Sequence, residues 1–231
     1  MFHVEHHGAT VAMDVSKYVR SIDINLSTAQ LGLISIYVDE LGGWGQKINL
    51  TAITDPLELS IKHFLDSLYG ARHLILDEKP NLLDIGSGAG FPGIPLKIVH
   101  PEIDLYLIEK NKKKVSFLSY LIGKLRLERC HIIAKSASEA LNDRTLRGKF
   151  KNIVVRAVGF KQIATAVSDF MHPDGRAIIY ATEQTANYEI FEPMTVSEMV
   201  AYHLPQGYGR RTLIFVDKAR DSRINRVPRG T

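Results

Sequence analysis

The chain has 231 residues, of which 45% are hydrophobic and 23% are charged, as in an ordinary globular protein. No apolar run approaches the roughly 18 residues of a membrane-spanning helix, and the N-terminus lacks the basic-then-apolar order of a secretory signal. The lone cysteine, Cys130, excludes an intrachain disulfide and a cysteine-pair zinc site, so we expect a cytoplasmic protein without a metal.

The net charge of +4 is concentrated near the C-terminal end. Residues 210–231 hold seven Lys or Arg and two Asp, so this stretch carries +5 and the other 209 residues carry −1. A basic tail is typical of proteins that meet a polyanion such as nucleic acid. A solvated, disordered chain end explains the same charge equally well.

The first part of the chain is predicted to be helical. Residues 1–27 show no sustained period and are expected to form a mobile segment. Apolar residues then recur at steps of three and four up to Gly42-Gly43, which is expected to end the first helix. A second helix follows from Asp55, which can cap it. We therefore predict a helical appendage over residues 28–75.

From residue 76 short apolar runs alternate with helical stretches. Five such runs predict the strands of a mostly parallel sheet that is covered on both faces. Their sequences are NLLDI, IDLYLIE, CHIIA, NIVVRAV and RAIIYA. Two later runs, MTVSEMVAYHL and RRTLIFVDK, are expected to form an antiparallel edge pair. Residues 76–217 thus predict one doubly wound α/β domain, and residues 218–231 form the basic tail.

The most unusual stretch is LLDIGSGAGFPGIPL, at the end of the first predicted strand. Gly86, Gly88 and Gly90 occupy every second position, where the missing Cβ lets a ligand lie against the backbone. Ligands of doubly wound sheets bind beyond the carboxyl ends of the strands, which is where this loop lies. A dinucleotide site would need glycine in place of Phe91, so the spacing favours a ligand without a diphosphate.

An acidic residue ends the second predicted strand. Glu109 follows Gly86 by 23 residues, and a carboxylate at that place can accept both hydroxyls of a ribose. The glycine loop, Asp84 in the first strand and Glu109 together favour S-adenosyl-L-methionine as the ligand. A tight turn beside a solvated glutamate is the simpler alternative.

Three longer phrases are more distinctive than the glycine loop alone. INLTAITDPLELSIKHFLDSL, LLDIGSGAGFPGIPLKIVHPEIDLYLIEKNKKKVSFL and VVRAV closely resemble the glucose-inhibited division protein B family, also called ribosomal RNA small subunit methyltransferase G. The resemblance covers roughly residues 28–217. It implies a Rossmann-like class I methyltransferase that uses S-adenosyl-L-methionine to methylate N7 of one guanine in small-subunit (16S) ribosomal RNA.

The resemblance also implies cofactor contacts at the ends of the first four strands. The positions it carries over are Gly86, Phe91, Glu109, Lys110, Asn111, Ser138, Glu139 and Arg156, and the loop chemistry adds Gly88 and Gly90. Ser138 and Glu139 equally suit the start of a helix. Arg156 ends an apolar strand, where an unpaired charge is unfavourable, so it needs a partner. That partner is the cofactor carboxylate, an RNA phosphate or an internal acid such as Asp84.

The implied reaction needs no general base. Guanine N7 carries a lone pair and no proton at neutral pH, so it can attack the methyl group in line once the two are aligned. Asp84 and Arg156 are therefore candidates for positioning, and no residue is assigned to proton transfer. His63, Asp66 and Ser67 share one face of the second helix, where they either shape the pocket or pin that helix to the sheet.

RNA contacts are expected on basic residues near the strand tips. The candidates are Lys112, Lys113 and Lys114 after the second strand, and Arg210 and Arg211 before the last strand. Contacts of this kind to phosphates are salt-sensitive. A solvated helix face explains the three lysines equally well.

The sequence departs from the family at one visible place. Many members carry a Lys-Gly pair after the fifth strand, where this chain has Thr182 and Glu183. Two other functions therefore stay open, a small-molecule methyltransferase on the same fold and an RNA-binding protein that has lost methyl transfer. The expected partner is ribosomal RNA or a ribosomal particle, with no DNA and no membrane, and we expect a monomer.

Overall fold

The computed structural model describes residues 7–45, 47–182 and 194–218. Their strands are β1 Asn81–Ile85, β2 Asp104–Ile108, β3 Cys130–Ile133, β4 Phe150–Arg156, β5 Met171–Thr182, β6 Met194–His203 and β7 Arg210–Lys218. These form a seven-stranded sheet in the order β3-β2-β1-β4-β5-β7-β6. β1 to β5 run parallel, and β7 is antiparallel to both β5 and β6. The predicted mostly parallel sheet with an antiparallel edge pair is confirmed.

The strand order reverses next to β1. The chain moves to one side through β2 and β3, then crosses back so that β4 pairs with the other side of β1. The carboxyl ends of β1, β2 and β4 therefore border a crevice. Doubly wound sheets bind their ligands at such a reversal point.

Helices cover both faces of the sheet. They are α1 Gly8–Val19, α2 Thr28–Gly45, α3 Pro56–Leu59, α4 Asp66–Leu68, α5 Gly93–Val99, α6 Lys112–Lys124, α7 Ala137–Ala140 and α8 Phe160–Phe170. Side chains of β1 alternate between two cores, since Leu82 shares one with Phe117 of α6 and Leu83 shares the other with Val167 of α8. Within the described ranges, no helix combines the length and the apolar character needed to cross a membrane.

The structure differs from the expectation of a mobile segment over residues 1–27. Helix α1 occupies Gly8–Val19, and its residues Val11, Val15 and Val19 are fully buried. The Gly8 amide donates a hydrogen bond to Oδ1 of Asp39 at 3.1 Å, which holds the start of α1 on α2. The apolar residues lie four apart, but the run is too short to stand out before its docking surface is known. Residues 1–6 lie outside the described residues.

Helix α2 continues past the glycine pair that was predicted to end it. The helix runs through Gly42 and Gly43 to Gly45. Trp44 packs its ring 5.6 Å from that of Phe117 and 5.3 Å from that of Tyr120. These contacts with α6 outweigh the low helix propensity of the glycines.

The second predicted helix is present as three consecutive segments. α3 is followed by a π-helical turn over Ser60–Leu65 and then by α4. We call residues 56–68 the α3–α4 segment. The Asp55 side chain accepts a hydrogen bond from the Glu58 amide at 2.8 Å, so Asp55 caps this segment as predicted.

Candidate functional site

A cavity of about 530 Å³ opens at the carboxyl ends of β1, β2 and β4. This volume suits a ligand of cofactor size. Seven of the predicted cofactor residues line it, namely Gly86, Gly88, Phe91, Glu109, Lys110, Ser138 and Arg156. Gly90, Asn111 and Glu139 are sequence neighbours of lining residues but do not line the cavity themselves.

The glycine loop after β1 has backbone angles that favour glycine. The angle φ is +78° at Gly86 and +101° at Gly90. A Cβ on Gly86 would lie 2.5 Å from Cγ2 of Val158, and a Cβ on Gly90 would lie 2.6 Å from Cδ1 of Ile94. The loop is therefore packed closely against its neighbours, and its residues Gly86 and Gly88 face the cavity.

Glu109 joins the glycine loop to the end of β2. Its Oε2 accepts a hydrogen bond from the Gly88 amide at 3.0 Å, and its Oε1 accepts one from the Asn111 amide at 2.7 Å. The side chain is largely buried yet lines the cavity. A carboxylate oxygen has about two acceptor sites, so both oxygens keep capacity for the hydroxyls of a ribose. The chemistry of this carboxylate and of the glycine loop fits an adenosine-type cofactor.

Asn111 and Glu139 have their side chains bound to the protein itself. Oδ1 of Asn111 accepts hydrogen bonds from two amides in the first turn of α6, at 3.0 and 3.3 Å. Glu139 forms a capping box with Ser136 at the start of α7, and the Ser136 hydroxyl and amide lower the pKa of Glu139. Glu139 therefore matches the helix-start interpretation, and it is Ser138 that lines the cavity.

Asp84 is fully buried in β1 and does not line the cavity. Its Oδ2 accepts a hydrogen bond from the Gly93 amide at 2.8 Å, which ties the start of α5 to β1. Oδ1 has no hydrogen-bond partner among the described residues. Burial raises the pKa of Asp84 from 3.8 to about 7. The observed role of this side chain is therefore to hold the start of α5 against β1.

Of the three kinds of partner that the sequence left open for Arg156, the structure shows an internal acid, and this acid is Asp66 and not Asp84. Nη1 donates to Oδ2 of Asp66 at 3.3 Å and to the Lys62 carbonyl at 3.1 Å. Nη2 donates to Nδ1 of His63 at 3.2 Å. Asp66 lies on the α3–α4 segment, so the ion pair joins this segment to the end of β4.

His63 and Ser67 complete the contact between the α3–α4 segment and the sheet. Ser67 donates its hydroxyl to the His63 carbonyl at 2.6 Å, and its own carbonyl accepts the Tyr180 hydroxyl at 2.7 Å. His63 lines the cavity with its ring stacked on Phe91, at 4.7 Å between centroids. Burial and the charge of Arg156 lower the pKa of His63 from 6.5 to about 3. Asp66 and Ser67 therefore hold this segment against the sheet, and His63 also lines the cavity.

Sequence reasoning missed several lining residues. Lys135 follows β3, and Gln162 lies in the first turn of α8. Both could have been found, because they follow the carboxyl ends of predicted strands. Ala157 also lines the cavity and has φ +57°, a left-handed conformation that turns the chain after Arg156. Nothing in the sequence indicates this turn, since alanine does not favour it.

The candidate RNA contacts lie on the same sheet edge as the cavity. Lys112 and Lys113 are exposed at the start of α6, and Lys114 lines the cavity. Arg210 and Arg211 begin β7, where Arg211 pairs with Thr182 at the carboxyl end of β5. Glu183 and the basic tail beyond Lys218 lie outside the described residues.

Solved structures with the same architecture have low sequence identity to this chain. A SAM-dependent methyltransferase from Aquifex aeolicus superposes with a TM-score of 0.52 at 16% identity, over 70% of this chain and 93% of that one. TrmK from M. capricolum, in complex with the natural cofactor product S-adenosyl-homocysteine, gives a TM-score of 0.52 at 14% identity, over 67% and 68% of the two chains. These similarities confirm the Rossmann-like fold.

Sequence comparison is more specific. The family model described as rRNA small subunit methyltransferase G matches residues 30–213. A ribosomal RNA small subunit methyltransferase G from Streptococcus agalactiae is 36% identical over 217 residues, covering 89% of this chain and 90% of that protein. The enzyme of that name from Desulfitobacterium hafniense is 33% identical over 205 residues, covering 85% and 84%. This chain therefore belongs to the rRNA small subunit methyltransferase G family, and it is an rRNA methyltransferase.

Proposed function

We propose that the protein transfers a methyl group from S-adenosylmethionine to N7 of one guanine in small-subunit ribosomal RNA. The observation that carries this proposal is the cavity at the reversal point of the sheet, in a chain that belongs to an rRNA methyltransferase family. The glycine loop, the Glu109 carboxylate and His63 of the α3–α4 segment all line this cavity. Bound there, S-adenosylmethionine would supply a methyl group on a positively charged sulfur.

The cofactor would be held by chain segments at the ends of three strands. Gly86 and Gly88 present backbone without side chains, and Glu109 offers its carboxylate to the ribose. Ser138 and the neighbouring backbone of α7 line the side of the cavity where an adenine would lie beyond Glu109. The product complex of TrmK, which has the same fold, supports this choice of cofactor.

The acceptor atom is inferred from which groups the cavity lacks. Among the described lining residues, the titratable groups that can accept a proton near neutral pH are already occupied. Nδ1 of His63 accepts a hydrogen bond from Arg156, and Glu109 accepts two backbone amides and would use its remaining acceptor capacity for the ribose hydroxyls. An exocyclic amine loses a proton when it is methylated, whereas guanine N7 has none to lose. The cavity therefore suits N7, and its residues need only align the reactants and exclude water.

The ribosomal RNA substrate would be held through its phosphates. Lys112 and Lys113 on one side of the cavity, and Arg210 and Arg211 on the other, offer positive charge on the same sheet edge. We expect the protein to act as a cytoplasmic monomer. Its target lies in the small subunit, either as naked 16S RNA or within the assembled particle.

The decisive experiment is methyl transfer from labelled S-adenosylmethionine to small ribosomal subunits that lack the modification. Naked RNA is assayed in parallel, and aniline cleavage locates any N7-methylguanine. We expect label in the RNA and cleavage at a single guanine. Label without cleavage would show that another atom is methylated. Cofactor binding without any transfer would contradict the proposal and direct attention to Thr182 and Glu183.

A further inference from the structure

Three aromatic rings form a continuous stack that ends at the cavity. Tyr37 of α2 and Phe91 of the glycine loop stack at 5.1 Å with 13° between their planes. Phe91 and His63 stack at 4.7 Å with 19° between their planes. Tyr37 and Phe91 are buried, and the Tyr37 hydroxyl donates to the Ala89 carbonyl at 2.6 Å. His63 is the last ring of the stack, and it is partly exposed where it lines the cavity.

Both ring nitrogens of His63 are committed to partners within the protein. A guanidinium can only donate, so Nδ1 of His63 is the acceptor of the hydrogen bond from Arg156. Nε2 therefore carries the proton and donates it to Oγ1 of Thr51 at 2.7 Å. Oγ1 of Thr51 also accepts the Ile53 amide at 3.1 Å, which fixes its position. The tautomer and the orientation of the imidazole are thus set from both sides.

The part of His63 that remains available to a ligand is the ring face that is turned away from Phe91. One face is covered by Phe91 and the two nitrogens are occupied, while the residue still lines the cavity. Proteins that bind unpaired RNA bases stack them on aromatic side chains, histidine included. We propose that the free face of His63 is the platform on which the acceptor guanine stacks during methyl transfer, an inference that rests on the proposed function.

The charge of the platform suits the reaction. A guanine methylated at N7 is a cation, and the face of a neutral aromatic ring attracts cations. A protonated imidazole would repel it. Burial and the charge of Arg156 lower the pKa of His63 to about 3, so the ring is neutral at physiological pH. The same Arg156 contact that fixes the tautomer therefore also keeps the stacking face neutral.

The test compares two substitutions that remove the same hydrogen bonds and differ in the ring. His63→Phe keeps an aromatic face, and His63→Leu does not. We expect His63→Leu to lower kcat/KM for RNA about 5- to 150-fold below that of His63→Phe, the range that corresponds to stacking one base on one side chain. Both variants should bind S-adenosylhomocysteine with equal affinity and should unfold at similar temperatures.

Three outcomes would overturn the inference. Equal kcat/KM for the two variants would show that the aromatic face is unimportant. Equal inactivity of both, with S-adenosylhomocysteine binding intact, would assign the role of His63 to its hydrogen bonds. A weaker affinity of His63→Leu for S-adenosylhomocysteine would make the residue part of the cofactor site.

A second measurement does not depend on turnover. Trp44 is the only tryptophan of the chain and does not line the cavity, so a Trp44→Phe, His63→Trp double variant carries one indole at the proposed platform. With S-adenosylhomocysteine bound, 7-methylguanosine monophosphate should quench this indole and leave Trp44 of the unmodified protein unchanged. No quenching, or equal quenching in both proteins, would contradict the inference. If the unmodified protein methylates no RNA, the proposed function fails, and this measurement still decides whether a purine stacks at position 63.

Discussion

Two ionisable side chains near the cavity have pKa values that are shifted in opposite directions, and each shift favours the neutral form of the group. Asp84 is buried with one oxygen unpartnered among the described residues, and its pKa is raised to about 7. His63 is only partly exposed beside Arg156, and its pKa is lowered to about 3. At physiological pH the His63 ring is therefore neutral, whereas Asp84 titrates close to neutral pH.

The opposite shifts predict a measurable effect on stability. For Asp84 the folded pKa exceeds the unfolded value, so its contribution is complete below about pH 4 and declines as the pH rises to about 7. For His63 the folded pKa is below the unfolded value, so its contribution is complete above about pH 6.5 and declines as the pH falls towards 3. In the unmodified protein the two slopes oppose each other between about pH 4 and 6.5, at about 1.4 kcal/mol per pH unit each.

Replacing one of the two residues should remove its contribution to the pH dependence of the free energy of unfolding. Relative to the unmodified protein, Asp84→Asn should become more stable as the pH rises from 4 to 6.5, and His63→Phe should become less stable over the same range. Urea unfolding at several pH values measures this, because the other titrating groups are common to all three proteins. Parallel stability curves for the three proteins would show that neither shift is present.

The glycine loop gives a second prediction at the residue scale. Gly86→Ala introduces a methyl group 2.5 Å from Val158 at a positive φ, so it should displace the loop and weaken S-adenosylhomocysteine binding at least about tenfold. Gly148→Ala is a matched control, since Gly148 also has a positive φ, of +62°, with nothing near the added Cβ. It should lose about 1 kcal/mol of stability and no affinity. Calorimetric titration and thermal unfolding separate the two effects, and equal affinities would rule out the steric explanation.

At the scale of elements, one buried ion pair joins the helical part of the chain to the sheet. Asp66 of α4 binds Arg156 at the end of β4 and also accepts the Tyr202 hydroxyl from β6 at 2.7 Å. The side chains of Arg156 and Asp66 are mostly buried, at 14% and 8% exposure. A charge buried to this extent needs its counter-charge.

Removing the two interactions of Asp66 one at a time should therefore lower the free energy of unfolding by different amounts. Asp66→Asn leaves the Arg156 charge uncompensated and should lower the free energy of unfolding by about 3–5 kcal/mol. Tyr202→Phe removes one hydrogen bond from the same carboxylate and should lower it by about 1–3 kcal/mol. Denaturant unfolding of both variants measures the difference. A larger loss for Tyr202→Phe would show that the ion pair contributes little.

The sequence predicts the elements of this fold well where the pattern is local. The bounds of β1 and β7 agree with the structure, because each strand is built around a short apolar run, Leu82-Leu83 in β1 and Leu213–Val216 in β7, with polar residues on both sides. The sequence predicts an element less well where tertiary contacts determine its burial or its bounds. The burial of α1, the continuation of α2 past Gly42 and the π turn before α4 depend on surfaces supplied by other elements.

The candidate site shows the same division. The glycine loop and Glu109 could be predicted, since spacing along a βαβ unit determines where they meet. Asp66 as the partner of Arg156 and the stack of His63 on Phe91 could not, because these residues are brought together by the docking of the α3–α4 segment on the sheet. The separations of these residues along the sequence do not indicate that they are in contact.

Across the whole molecule, two basic groups flank the cavity on one edge of the sheet. Lys112, Lys113 and Lys114 lie beyond β2, and Arg210 and Arg211 lie beside the end of β5. We propose that RNA that places a base in the cavity contacts both groups. The net charge of +4 therefore matters less than where the charges lie.

The salt dependence of RNA binding should report on both groups. Replacing Lys112 and Lys113, which do not line the cavity, by Glu should weaken binding and flatten the slope of log K against log salt by about 0.7 for each phosphate that is no longer neutralised. Replacing Arg210 and Arg211 by Glu should act additively, and neither change should affect S-adenosylhomocysteine binding. Lys79→Glu is a control, because Lys79 is exposed before β1 at the opposite sheet edge. If Lys79→Glu weakened RNA binding equally, the affinity would depend on the net charge of the protein and not on where the basic residues lie.

The hydrogen bonds from Tyr180 and Tyr202 to the α3–α4 segment can form only late in biosynthesis. The segment leaves the ribosome early, yet its polar partners lie in β5 and β6, more than 100 residues later. Until that part of the chain emerges, the apolar face that buries Phe64 and Leu65 has no complete docking surface. A nascent chain of this protein therefore exposes this apolar face until more than 100 further residues have been made, and exposed apolar surface of this kind is prone to aggregation.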